Sequence, residues 1–274
     1  MDVLAALRLQ LEWGADEALA AAPVDRLAAP APATAPASAA ASGRPVMQPT
    51  PPPTPLRPAA APMPPGSPAP VLRAREVAEA AGTLDELRAA LARFDGCALS
   101  ATATNLVFAD GNPASGLMLV GEGPGAEEDR AGKPFVGPSG QFLDRMLASI
   151  GLDRTKLLIT NLIPWRPPGN RNPTDSEVLI CLPFLLRHIA LVRPRRLVLL
   201  GALATKAVTG NATGIRRMRG KWLDVAIPGL SAPVPALPML HPAYLLRTPG
   251  AKRDAWADFL LLRRTLDAAD AAGD

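Results

Sequence analysis

Cysteine is nearly absent from this chain: its 274 residues hold only Cys97 and Cys181. Two thiols cannot build a disulfide framework. Apolar runs of about 20 residues are missing as well, which argues against a helical membrane span. Asp2, Arg8 and Glu12 interrupt the first apolar residues, so no secretory leader is legible. A soluble, cytoplasmic monomer is the expectation. Histidine is as scarce as cysteine, with only His188 and His241, and aromatic residues make up 4% of the chain.

Proline, by contrast, is abundant and unevenly spread. Residues 23–72 hold 16 of the 32 prolines, mixed mostly with Ala, Ser and Thr. Such a stretch has too few large apolar side chains to offset the entropy of ordering, so residues 23–74 read as an extended, disordered linker. Before it, residues 1–22 place Leu4, Leu7, Leu11, Ala15 and Ala18 on one helical stripe and Arg8, Glu12 and Asp16 on another. This amphipathic helix suits either a protein partner or a resting place on its own domain. Residues 75–274 remain as one globular domain with ample length for a core. Residues 1–72 carry four arginines against five acids, leaving −1, and the remainder is +5, with 25 basic and 20 acidic residues. A basic domain is compatible with nucleic acid without requiring it.

Within the domain, strand and helix patterns alternate. Residues 117–120, 157–161, 197–200 and 236–240 are short apolar runs of the kind buried on both faces. Between them, Phe142, Leu143, Met146, Leu147 and Ile150 recur at helical spacing, opened by Pro138 and closed by Gly151. Thr174 and Glu177 have capping-box spacing ahead of an apolar stretch at 178–192, which Pro183 should kink or split. The alternation predicts a three-layer α/β/α sandwich on a central, mainly parallel four-stranded sheet. Ligands of such sheets bind at the carboxyl ends of the strands. There lie residues 121–129, 161–172 and 241–247.

The first of these, "GEGPGAEED", fits a dinucleotide pattern through Gly121, Gly123 and Ala126. Three features oppose a phosphate there. Gly132, Pro134, Gly137 and Pro138 should postpone the next helix to about Ser139. Glu122, Glu127, Glu128 and Asp129 would repel the phosphate. No lysine stands in a Walker position. Glycines let backbone approach a ligand closely, and acids beside them suit a cationic centre that must meet water.

Together, "GEGPGAEEDRAGKPFVGPSGQFLDRML", "TNLIPWRPPGNRNPT" and "LHPAYLLRTP" resemble the three motif regions of the type-4, iron–sulfur uracil-DNA glycosylases. The resemblance runs from about Phe94 to Leu266, and three motifs in order are far more specific than any one. It implies a monofunctional enzyme that hydrolyses the N-glycosidic bond of deoxyuridine in DNA and starts base-excision repair. The target nucleotide must first leave the base stack.

The resemblance also implies roles. Asn161 would read the uracil edge, its amide NH₂ toward O4 and its carbonyl toward N3–H, polarities that cytosine reverses; an Asn after a strand also commonly caps a loop. Phe135 would stack beneath the base, a contact worth about 1–3 kcal/mol. His241, followed by Pro242, would donate to uracil O2 as charge develops there, whereas His188 within an apolar helical run reads as structural. Glu122 and Gly123 would line the pocket. Related glycosylases carry a water-handling Asp where this chain has Gly123, so that task falls to Asn170, Glu122 or Glu128. Leu245 and Leu246 would wedge into the DNA beside Tyr244, while Arg247 and the Arg216, Arg217, Arg219 and Lys221 run would hold phosphates.

One departure concerns the family's [4Fe–4S] cluster. Cys97 and Cys181 match the second and fourth ligands, but Phe94 and Trp165 stand at the first and third, and neither side chain ligates iron. The expectation is that no cluster binds in the usual way and that aromatic packing replaces it. Other readings stay open: a glycosylase for further deaminated bases, a non-catalytic DNA-binding repair scaffold, or, more distantly, a nucleotide-binding oxidoreductase.

Overall fold

The computed structural model describes residues 68–272. The N-terminal helix expected over residues 1–22 and nearly all of the linker lie outside the described residues. Helical structure reaches into the stretch expected to be linker. Helix α1, Pro68–Ala80, covers what was read as the linker's last seven residues and buries Ala74 and Ala78. Small side chains let it lie close against the long helix described below, where the Arg187 Nε donates to Ala81 O at 2.8 Å. Helix α2, Leu84–Arg93, starts at Thr83, whose side chain accepts from the Glu86 N–H, and buries Leu87 and Leu91. A single turn, α3 (Leu99–Thr102), follows.

Six strands form one sheet in the order β1-β3-β2-β4-β6-β5. The four strands foreseen from apolar runs are its parallel centre: β2 (Leu117–Gly121), β3 (Leu158–Asn161), β4 (Arg196–Leu200) and β6 (Val234–Met239). The expected count of four is corrected by two short antiparallel edges, β1 (Ala109–Gly111) on β3 and β5 (Leu223–Val225) on β6. Three residues each, with an Asp in both, give no apolar period to detect.

Alternating strand residues feed two separate cores, as the two-residue pleat requires. Met118, Val120, Leu158, Leu197, Leu199 and Ala236 pack with α1, α2 and α6 (Asp175–Val192). Leu119, Ile159, Val198, Leu200 and Leu237 pack on the other side with α5 (Pro138–Ala148) and α10 (Lys252–Ala272). The three-layer sandwich is therefore as expected.

Two local features differ from expectation. Helix α6 is not split at Pro183 but continues through it from Asp175 to Val192. A proline inside a helix costs about 3 kcal/mol, but Phe184, Leu185 and Ile189 are buried around it, and each such side chain contributes about 1.5–3 kcal/mol. A six-residue helix, α4 (Ala126–Ala131), also opens directly after the glycine turn, well before Ser139. The remaining helices are α7 (Ala202–Thr209), α8 (Ile215–Met218) and α9 (Pro242–Arg247).

Candidate active site

The parallel strands end side by side. Gly121 and Asn161 are register partners, and so are Leu200 and Met239, two residues before His241. Above these tips opens a cavity of about 870 Å³, lined by Glu122, Phe135, Asn161, His241, Tyr244 and Arg247 among others.

Asn161 is 5% exposed, and its Oδ1 has no hydrogen-bond partner among the described residues. A buried acceptor without a partner costs about 1–3 kcal/mol, so an N–H donor on a ligand would relieve it. Space for this amide comes from Gly121. A Cβ there would stand 2.4 Å from Asn161 Oδ1 and equally close to the Phe135 ring.

Phe135 is buried and holds φ +55, a left-handed backbone that costs a bulky residue about 1–3 kcal/mol. Its ring lies 5.7 Å from that of His241, tilted by 30°. Close packing fixes the backbone as well, since a Cβ on Gly140 would come within 2.0 Å of the Phe135 carbonyl oxygen.

His241 immediately precedes α9, with Pro242 at the first helical position. Its Nδ1 accepts from the Ala243 N–H at 3.2 Å, so the neutral ring carries its proton on Nε2. Burial, then the Arg247 charge, lowers its pKa to about 4. The imidazole is thus a neutral donor at physiological pH. His188 differs: it is buried, stacked on Phe108 at 4.5 Å, and belongs to the core.

The acids of the glycine turn divide by task. Glu128 accepts from the Gly125 N–H at 3.0 Å and the Gly137 N–H at 2.8 Å, tying together the starts of α4 and α5. That carboxylate occupies the helix N-terminus where a phosphate would bind, which opposes the phosphate reading although α4 does follow the turn. Each Glu128 oxygen accepts one backbone N–H and keeps a second lone pair, and the residue lines the cavity. Asp129 accepts from Thr104 and Asn105, and Glu127 is exposed. Glu122 also lines the cavity. Burial raises its pKa despite hydrogen bonds from the Leu203 and Ala202 N–H groups at the start of α7. Gly201 makes room for it, since a Cβ there would lie 2.3 Å from Glu122 Oε1. Asn170 sits at the rim with φ +56, its Oδ1 accepting from Arg166 Nε at 2.7 Å. Gly123 also lines the cavity, and a Cβ there would only touch Ile163 at 3.4 Å.

The basic and wedge candidates separate too. Arg216, Arg217 and Arg247 line the cavity, and Arg216 Nη2 donates to Tyr244 Oη at 2.8 Å. Arg219 does not belong with them. Its guanidinium grips the buried Asp258 at 2.9 and 2.7 Å and also reaches the Asp254 carbonyl, so it is a structural tie. Leu245 is likewise corrected: it is fully buried with Leu240, Ala251 and Ala255. Leu246 is 42% exposed and remains the wedge candidate.

Arg154 is a further residue that supports the site. It donates to the carbonyls of Pro134 and Phe135 and to Asp110 and Asp144. Nothing in "LDRTK" signals that convergence, which exists only after folding.

The four positions matching cluster ligands lie in one apolar core. Phe94, Cys97, Trp165 and Cys181 are at most 4% exposed. Phe94 packs edge-on against Phe184 at 5.0 Å, and its ring fills the space over Gly96, where a Cβ would stand 2.5 Å away. Its hydrogen bond with Cys97, then burial, holds the Cys181 thiol above its ordinary range. Two thiols and two rings do not fit a [4Fe–4S] cluster, and no group of three or more potential metal ligands occurs among the described residues. No helix among them is long and apolar enough to cross a membrane.

Known proteins place this geometry. The sequence profile of the uracil DNA glycosylase superfamily matches residues 108–260. The chain is 36% identical over 182 residues to the type-4 uracil-DNA glycosylase of Pyrobaculum aerophilum, covering 65% of this chain and 92% of that protein. It is 38% identical over 181 residues to the Archaeoglobus fulgidus type-4 enzyme, covering 65% and 90%. With the Thermotoga maritima type-4 enzyme the identity is 40% over 152 residues, covering 55% and 77%. Matches of this extent, over the strands and loops that build the cavity, establish that the chain belongs to the uracil DNA glycosylase superfamily.

Proposed function

We propose that the chain excises uracil from DNA by hydrolysing the N-glycosidic bond, acting as a monofunctional glycosylase. The observation that carries this reading is the unpartnered Asn161 Oδ1 in the same cavity as the Phe135 ring and the neutral His241. Uracil offers an N3–H donor to that oxygen and an O4 acceptor to the amide NH₂; cytosine offers the reverse at both atoms. The wrong base leaves buried groups unpaired, which is the strongest form of discrimination.

Chemistry follows from the same residues. As the C1′–N1 bond breaks, its electron pair moves onto the base and the sugar becomes oxocarbenium-like. His241 Nε2–H is the donor for the charge growing on O2, and a donor held in place before the reaction needs no reorganisation. Water then adds at C1′, leaving a hydroxyl there, and the proton it gives up passes to solvent, from which the departing uracil anion is neutralised. Glu122, Asn170 and Glu128 are the candidates for holding that water, and an ionised Glu122 would also stabilise the cationic sugar. Leu246 would fill the space vacated by the extruded nucleotide, and Arg216, Arg217 and Arg247 would contact phosphates.

The reading extends to a protein that works without the family's cluster, its place taken by Phe94 and Trp165 packing on Cys97 and Cys181. Iron and sulfide analysis of anaerobically purified protein should find neither; about four irons per chain would overturn this part. A cytoplasmic monomer that binds a protein partner through residues 2–20 is part of the same proposal, tested by sedimentation and by deletion of that segment. The activity itself is tested by single-turnover excision on uracil-containing DNA. Free uracil should appear with the native protein and drop steeply with Asn161→Ala and His241→Ala; DNA binding without base release would favour a scaffold instead.

A further inference from the structure

We infer that Arg154 is a positioning residue for base recognition, setting the Phe135 ring through the two carbonyls it holds. The inference rests on the uracil-excision reading above and adds a residue to it. Phe135 is one of three non-glycine residues with positive φ among the described residues, and the only one that is buried with its ring lining the cavity. A backbone in that region does not persist by itself; its surroundings must hold it.

Arg154 supplies that hold. Nη2 donates to the Phe135 carbonyl at 2.5 Å, and Nη1 donates to the Pro134 carbonyl at 3.0 Å. The guanidinium is itself fixed from two further elements. Asp144 on α5 accepts from Nε at 3.0 Å and from Nη2 at 3.2 Å, and Asp110 on β1 accepts from Nη1 at 3.0 Å. Arg154 thus joins the edge strand, α5 and the motif loop at one point. Gly140 and Gly121 close the other sides, pressing on the carbonyl and on the ring respectively. A rigid five-donor fork can meet two carbonyls and two carboxylates together; a lysine ammonium, with three donors on a flexible stem, cannot.

A double-mutant cycle tests this: single-turnover uracil excision by the native protein, Arg154→Lys, Phe135→Ala and the double variant, with thermal unfolding and inhibition by free uracil alongside. Arg154→Lys should slow excision about tenfold, the scale of one stacking contact, and weaken inhibition by uracil similarly. In the Phe135→Ala background it should cost less than about twofold, because the ring it places is gone. Equal losses in both backgrounds would mean a general structural role and overturn the inference, as would native excision and inhibition in a folded Arg154→Lys. Asp144→Asn, which loosens the fork while leaving Arg154 in place, should give a smaller loss with the same dependence on Phe135. It carries the test if the lysine variant does not fold, and a loss independent of Phe135 there overturns the inference equally. A native protein that releases no uracil would sink the underlying reading and this inference with it, an outcome distinct from all the others.

Discussion

Gly121 and Asn161 are paired in register at the ends of adjacent strands, and the missing Cβ of Gly121 is what lets the Asn161 amide sit beside the Phe135 ring. Both contacts would be 2.4 Å from an added methyl group, and neither can move without leaving the cavity wall. Gly121→Ala should therefore cost about 1–3 kcal/mol in stability through overpacking. Its effect on excision should be larger, about a hundredfold, because the two recognition groups are displaced together. Thermal unfolding and single-turnover rates measured side by side check this; a stable variant with native excision would contradict it.

The two histidines should shape the acid limb of the stability curve. Both have pKa values lowered to about 4, His188 by burial and His241 by burial and then Arg247. The unfolded chain takes up these protons near pH 6.5 while the native state resists them. The stability linked to them is therefore full above about pH 6.5 and is lost as pH falls toward 4. For the buried His188 the loss is about 3 kcal/mol. Its Nε2 has no partner among the described residues, so His188→Phe should leave the melting temperature at pH 7 unchanged or raised. It should also shrink the loss at pH 5, read by unfolding at both pH values. Excision should stay flat with respect to His241 ionisation from pH 8 to about 5, and His241→Ala should lower it about 10²–10³-fold throughout.

Leu245 and Leu246 are neighbours with opposite fates. Leu245→Ala empties a fully buried site and should destabilise the domain by about 2–5 kcal/mol. Leu246→Ala, at a 42% exposed position, should leave stability within about 0.5 kcal/mol while slowing excision from duplex DNA more than from single strands. Chemical denaturation and paired substrates separate the two effects. Equal behaviour of the two variants would contradict the assignment.

The arginines of the 216–219 run should also separate. Arg216→Ala and Arg217→Ala should weaken DNA binding and each reduce the dependence of log K on log salt by about one. Arg219→Ala should instead destabilise the fold, because it strands Asp258, whose pKa burial already raises to about 6. Salt titrations of binding, with unfolding as the control, read both.

What was legible in the sequence follows from where the information sits. The four central strands are apolar on both faces, so the sequence announces them without help from neighbours. The edges β1 and β5 are three residues each and exist because β3 and β6 offer them partners. Asn161, Phe135 and His241 were found through motif strings, and the cavity brings those residues together. The short helix α4 escaped notice because its start is capped by Glu128, a contact that depends on Gly137 folding back to share the carboxylate. Leu245 and Leu246 sit one helical step apart, and no local pattern tells which faces inward. Arg154 and Arg219 were misjudged or missed for one reason: an arginine's partners are tertiary. Its charge is visible in the sequence and its commitments are not.

The most direct measurement is the amount of free base released from DNA carrying a single uracil, per molecule of purified protein, over one turnover. The account predicts near-stoichiometric uracil from the native chain and a loss of at least about a hundredfold on Asn161→Ala, with cytosine left in place. Release that is absent from the native protein, or undiminished in a folded Asn161→Ala, would contradict it.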